Sequence, residues 1–118
     1  MIYAADSVAT CLLEILVHTR GVKPPGTMGW IEIDVPNGIS SERVEPKRLK
    51  GWDDPSNLVT QQYGEKWIRE GRSCILWVPS VAASGHAWNA VLNVEHPEFA
   101  LVTSSAPKRL ELDARLFP

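Results

Sequence analysis

The chain is predicted to be an α+β fold: a single compact domain with a mixed or antiparallel sheet and two main helices. Three observations carry that expectation. Apolar residues recur at helical spacing in two segments only, one around residues 8–20 and one around 58–70. Short apolar or alternating runs of strand length lie before, between and after them. Glycine, proline and asparagine break the pattern at each junction, with no repeat, low-complexity tract or internal linker.

The elements follow in order. Met1–Ala5 is short and apolar, a strand that enters a first helix at Asp6-Ser7, either of which offers an N-cap oxygen. Gly21 stands where a C-terminal glycine belongs, and Pro24-Pro25 cannot continue the helix. Trp30–Val35 alternates with period two, with Ile31, Ile33 and Val35 on one face, and Pro36-Asn37-Gly38 closes it. Residues 40–55 are charged and irregular and read as a long surface loop. Ser56 offers a cap for a second helix reaching Glu70, which Gly71 stops. Cys74–Val78 is a continuous apolar run ended by Pro79, as expected of a buried central strand. A small-residue stretch, Ala82–Gly85, is expected to be flexible and leads to a strand at Trp88–Asn93. His96–Phe99 reads as a turn or one helical turn, and Leu101–Thr103 and Arg109–Leu112 as terminal strands.

At 118 residues, 44% hydrophobic and 22% charged, the composition is that of one globular domain. The formal net charge of −2, with no basic run beyond Lys47-Arg48-Leu49-Lys50, argues against direct nucleic-acid binding. Five tryptophans imply an aromatic-rich core or an aromatic-lined groove. Cys11 and Cys74 are isolated, which suits free thiols in a reducing compartment better than a disulfide framework. No signal-peptide pattern is present and the apolar run of the first helix is too short to span a bilayer, so a cytoplasmic location without a membrane partner is expected.

The feature that points to function is Glu14, set in Cys11-Leu12-Leu13-Glu14-Ile15-Leu16-Val17. A helix apolar nearly all round is expected to be covered on most faces. A carboxylate there lines a cleft, pairs with a cation, stays protonated, or lies on a narrow polar stripe with Thr10 and His18. No phosphate loop, nucleophile elbow or zinc-protease motif occurs, and His18, His86 and His96 lack metal-ligand spacing. What remains is an ordered set: Tyr3, Glu14, Ser80 just after a buried strand, then Asn89 and Asn93. Each also has a plain structural reading: Tyr3 and Trp88 as core, Ser80 as a turn serine, the asparagines as sheet-end bonding.

That set resembles the RES-domain family. Tyr3-Ala4-Ala5-Asp6-Ser7 and Leu12-Leu13-Glu14-Ile15-Leu16-Val17-His18 look like its N-terminal signature. Tyr63-Gly64-Glu65-Lys66-Trp67 and Gly71-Arg72-Ser73 resemble its second helix. Val78-Pro79-Ser80, Trp88–Asn93, His96–Phe99 and Leu112–Phe117 resemble its C-terminal half. The resemblance spans essentially residues 1–118. It implies an ADP-ribosyltransferase-like fold and a bacterial toxin of a toxin–antitoxin system. Such a toxin degrades NAD+ by cleaving the nicotinamide–ribose bond, as an NAD+ phosphorylase or glycohydrolase. It assigns the family's catalytic glutamate and serine to Glu14 and Ser80, and NAD binding to Tyr3; the side chain of Asn89 has the hydrogen-bonding groups for a further NAD contact, to a ribose hydroxyl, the carboxamide or a phosphate. NAD+ is then substrate rather than cofactor, inorganic phosphate is a candidate co-substrate, and no metal is assigned. The implied partner is an Xre-type helix-turn-helix antitoxin covering the cleft near Glu14, alongside self-association into a homodimer.

One departure bears on activity. In the family the arginine lies in a Gly-Gly-Arg-Trp-like segment upstream of the tyrosine, and Arg20, Arg69 and Arg72 do not sit where it belongs. The expectation is a domain lacking the family's first strand and its arginine. Two other readings therefore stand beside the NAD+-degrading enzyme: an inactive module that only binds its antitoxin, and a protein ADP-ribosyltransferase using the same Glu14.

Overall fold

The computed structural model describes residues 1–56 and 58–117; Asn57 and Pro118 lie outside the described residues. The described residues form eight strands and two α-helices, and the α+β expectation holds. The main sheet is mixed. Its strands are β1 (Ile2–Ala5), β4 (Ser41–Arg43), β5 (Ile75–Pro79) and β6 (Trp88–Leu92), in the order β1-β6-β5-β4. β5 and β6 form an antiparallel hairpin, β1 is antiparallel to β6, and β4 is parallel to β5.

The two faces of this sheet are covered differently. Leu76, Val78 and Val91 point to one face, where the helix α2 (Val59–Glu70) seats the fully buried Trp67 against Leu76, Val91 and Val44. The Trp67 indole N–H donates to Ser73 Oγ at 2.7 Å, so its polar edge is satisfied in the core. Ile75, Ala90 and Leu92 face the other way and pack with Ile33, Ile39, Phe99 and Val102. That side is closed by two small antiparallel ladders. One joins β2 (Met28–Trp30) to β8 (Lys108–Leu110), the other joins β3 (Ile33–Asp34) to β7 (Thr103–Ser104).

The helix α1 (Val8–His18) is capped by Ser7, whose Oγ accepts the Thr10 N–H at 3.1 Å. Asp6, the other candidate cap, instead ties the helix to the sheet: its carboxylate accepts from the Thr10 hydroxyl at 2.9 Å and the Trp88 N–H at 3.0 Å. Gly21, φ 77°, takes a positive φ at the end of the helix as expected, but shares the reversal with the residue before it. Arg20 takes the left-handed conformation, φ 53°, and the Gly21 N–H reaches back to the Leu16 carbonyl at 3.0 Å.

Several expectations are corrected. α1 is not covered on most faces: only Thr10 is buried, while Leu13 and Val17 are exposed, because the helix rests on β1 and overhangs a cleft. Trp30–Val35 is not one strand. β2 and β3 pair with different partners, and between them Glu32 exchanges bonds with Ser105, through its N–H to Ser105 Oγ and its C=O to the Ser105 N–H. Pro107 interrupts the partner segment there and has no N–H to give. The 40–55 stretch contains β4 and the buried Val44, not only a loop. α2 begins at Val59 rather than at Ser56, whose hydroxyl turns back to Asp54 at 2.7 Å. Leu101 closes a 3-10 turn spanning Pro97–Leu101, so the seventh strand starts two residues later than expected.

Candidate functional site

Period-two alternation and the β1-β6-β5 register bring the candidate residues to one face of the sheet. Tyr3 lies opposite Val91, Ala5 opposite Asn89, and Val78 opposite Asn89 on the other side. Ser80 follows directly on β5. α1 crosses this face and hangs Glu14 over it. Glu14 Oε1 accepts the Ser80 hydroxyl at 2.9 Å and the Asn89 side-chain N–H at 2.9 Å. Two donors, 66 and 75 positions along the chain from Glu14, therefore converge on one of its carboxylate oxygens. The other oxygen, Oε2, has His18 Nδ1 at 3.8 Å; that nitrogen donates to the Glu14 backbone carbonyl at 2.7 Å.

The support around this carboxylate is rigid. Ser80 is fully buried, and its Oγ also accepts the Ala83 N–H at 3.2 Å. The stretch expected to be flexible is a hydrogen-bonded turn: the Ser80 N–H donates to Ala87 O at 2.9 Å and the Gly85 N–H to Ser80 O at 2.8 Å. Gly85 has φ +78°, and a Cβ there would meet the Trp52 ring at 2.9 Å. Trp52 thus braces the loop that carries Ser80. The turn-serine reading and the functional reading of Ser80 describe the same atom, which ends the strand and positions Glu14 at once.

The cleft between α1, α2 and the sheet has a volume of about 570 Å³, within the range that takes a small molecule. Tyr3, Ala5, Cys11, Glu14, Gly64 and Val78 are among its walls, with Asn89 at its floor. Tyr3 is 72% exposed, so it is not core, and its ring lies at the cleft with its hydroxyl 4.0 Å from Met1 Sδ. Burial, reinforced by the carboxylates of Asp6 and Glu14, pushes the Cys11 thiol above its ordinary range, so Cys11 contributes a neutral wall. Asn89 Oδ1 is buried and has no hydrogen-bond partner, an acceptor left open beside the carboxylate. Among the described residues no lysine or arginine lines this cleft. Arg72 is engaged elsewhere, 2.8 Å from both Glu42 and Glu70. Asn93, the second asparagine of the set, is buried and its side chain accepts the Glu95 N–H at 3.1 Å, a turn role away from Glu14.

Trp88, on the opposite face, is stacked under the Arg43 guanidinium at 4.5 Å. Sequence reasoning named Asp6 only as a candidate cap and missed its strap from the start of α1 to Trp88, and it gave Trp52 no role at the site. An acid beside a helix start was a visible signal for the first; nothing in the sequence pointed to the second.

Among the described residues no helix is long and apolar enough to cross a membrane. Comparison with known proteins finds relatives matching nearly the whole chain. "Prs ADP-ribosylating toxin" of Sphingobium sp. (strain YBL2) is 31% identical over 98% of this chain and 74% of its own length. "Toxin Res" of Pseudomonas putida (strain KT2440) is 31% identical over 99% and 79%. "Toxin Res" of Yersinia enterocolitica (strain 8081) is 28% identical over 98% and 76%. The ADP-ribosyltransferase-like expectation for the fold agrees with the name of the first. The family model "RES domain" matches residues 1–113, a span that holds Tyr3, Glu14, Ser80 and Asn89 together with every strand of the main sheet, and the chain belongs to the RES domain family.

Proposed function

We propose that this chain is the toxin of a toxin–antitoxin system and that it breaks the nicotinamide–ribose bond of NAD+. The observation that carries the reading is the convergence of Ser80 and Asn89 on one oxygen of Glu14 at the wall of a cleft of cofactor size. Toxin names on relatives matching 98–99% of the chain support it.

The chemistry follows from charge. As the bond to nicotinamide breaks, positive charge grows on the ribose, and a fixed carboxylate beside the ring stabilises that charge more in the transition state than in the ground state. Ser80 and Asn89 hold Oε1, which leaves Oε2 for a ribose hydroxyl or the developing cation. Because both donors are already oriented, no reorganisation is needed at the moment of cleavage. The open acceptor, Asn89 Oδ1, suits an N–H of the carboxamide or a ribose hydroxyl. Tyr3 offers its exposed face to nicotinamide or ribose. Phosphate or water on the opposite side of the ribose completes the reaction as phosphorolysis or hydrolysis.

Two other readings each rest on an observation. The absence of lysine and arginine from the described cleft walls favours a module that binds an Xre-type antitoxin over the cleft without turning NAD+ over, since the pyrophosphate lacks a cationic partner there. The name of the Sphingobium relative favours transfer of ADP-ribose to a protein. Incubation with NAD+, with and without phosphate, and with a candidate protein acceptor, separates all three. Phosphate-dependent nicotinamide release indicates phosphorolysis, phosphate-independent release indicates hydrolysis, and label retained on protein indicates transfer. No release from a folded chain that still binds antitoxin indicates the binding module.

A further inference from the structure

We infer that Cys74, His96 and Glu98 form a binding site for a divalent transition-metal ion of the zinc type, at the end of the sheet away from the cleft. Cys74 immediately precedes β5 and Ser80 immediately follows it, so the strand separates the two residues by roughly 20 Å. The thiol, a ring nitrogen of His96 and a carboxylate oxygen of Glu98 lie within 4.8 Å of one another. Ligands on a tetrahedral zinc are roughly 3.3–3.7 Å apart. Closing about 1 Å is the adjustment required, and His96 and Glu98 sit at the start of a short, partly exposed 3-10 turn that can supply it.

Three features of the cluster fit a metal better than a plain polar contact. The donor set is sulfur, imidazole and carboxylate, the set zinc selects. His96 Nδ1 accepts the Glu98 N–H at 3.1 Å, so that nitrogen presents a lone pair rather than a proton, and a metal bond there would replace this capping bond. Glu98 is held from outside by Ser40, through the hydroxyl at 2.6 Å and the N–H at 2.8 Å, while Ser40 Oγ accepts the Cys74 N–H at 2.9 Å. Ser40 thus orients two of the three ligands, the arrangement that outer partners of metal ligands take. Among the described residues no lysine or arginine pairs with Glu98, whose partners are Ser40 and His96. On binding, Cys74 gives its proton to solvent. His96 also lines an open cavity with Asn93 and Glu95, which brings solvent to that one ligand.

The test titrates the untagged, reduced chain with Co²⁺ and then displaces it with Zn²⁺. The expected result is a thiolate-to-cobalt absorption band saturating at one ion per chain, unchanged in Cys11→Ser and lost in Cys74→Ser. Glu98→Gln keeps an acceptor for Ser40 but removes the charge, and Ser40→Ala removes the outer partner; each is expected to weaken the ion by about 10–100-fold. If Cys74→Ser does not fold, the Glu98→Gln and Cys11→Ser chains decide the matter. The absence of a thiolate band from the folded parent chain would overturn the assignment. So would a band that survives Cys74→Ser, or affinity unchanged by Glu98→Gln.

Discussion

Ser80→Ala deletes one hydroxyl that is fully buried, donates to Glu14 Oε1 at 2.9 Å and accepts the Ala83 N–H at 3.2 Å. A hydrogen bond to a charged group contributes about 1.5–3 kcal/mol, and an orphaned buried N–H costs about 1 kcal/mol or more. Glu14 keeps its bond from Asn89 and its side chain is 26% exposed, which places the first contribution at the low end of that range. The expected loss is therefore about 2–3 kcal/mol, or roughly 10 °C in Tm for a domain of this size. Urea unfolding followed by tryptophan fluorescence measures it. A double-mutant cycle with Glu14→Ala then isolates the pair and should return a coupling of about 1 kcal/mol. A loss below about 0.5 kcal/mol, or the same loss with and without Glu14, would refute the claim that Ser80 holds the carboxylate.

Further expectations concern the frame and the substrate. Gly71 ends α2 at φ +60° with open space around it, so Gly71→Ala should cost about 1 kcal/mol from backbone strain alone, read by thermal unfolding. Burial pushes the Glu42 carboxyl up, but the hydrogen bonds from Arg72 and Tyr63 and the Arg72 charge outweigh it and hold Glu42 below the ordinary range. A depressed folded value gives stability that is present above the unfolded pKa, about 4.3, and is lost as pH falls through the folded value. Glu42→Gln should therefore flatten the acid limb of stability against pH below about 4.3, and an unchanged limb would contradict the network. Tyr3→Ala, at a 72% exposed position, should leave stability within about 0.5 kcal/mol while raising KM for NAD+ roughly 2- to 10-fold. A fall in kcat alone would contradict a binding role.

The legible parts of this fold are those where burial is one-sided and local. Cys74–Val78 and Trp88–Asn93 read as strands because the sheet buries them, and α2 read as a helix because Tyr63, Trp67 and Ile68 form one packed stripe. β4 was not legible, because Ser41-Glu42-Arg43 is an edge strand without an apolar alternation, and its charges are matched only by distant residues, Glu42 by Arg72 and Tyr63 and Arg43 by Trp88. The break at Ile31–Glu32 was not legible because it is imposed by partners more than seventy residues away. Glu14 stood out as an acid in an apolar helix, yet the exposure of Leu13 and Val17 shows that the helix's apolarity overstated its burial. That Ser80 and Asn89 meet Glu14 is a long-range fact: the sequence singled these residues out as an ordered set, but nothing local in it shows that they touch. The Cys74–His96–Glu98 cluster left no sequence trace, since its ligands come from the start of one strand and the turn after its neighbour.

The central claim is that the negative charge of Glu14, fixed by Ser80 and Asn89, drives cleavage of the nicotinamide–ribose bond. Its most direct test is the rate of nicotinamide release by the parent chain against Glu14→Gln, which keeps an oxygen for both donors and removes only the charge. The account predicts a 10²–10³-fold slower rate at nearly unchanged Tm. An equal rate in the two chains, or no release from the folded parent, would contradict it.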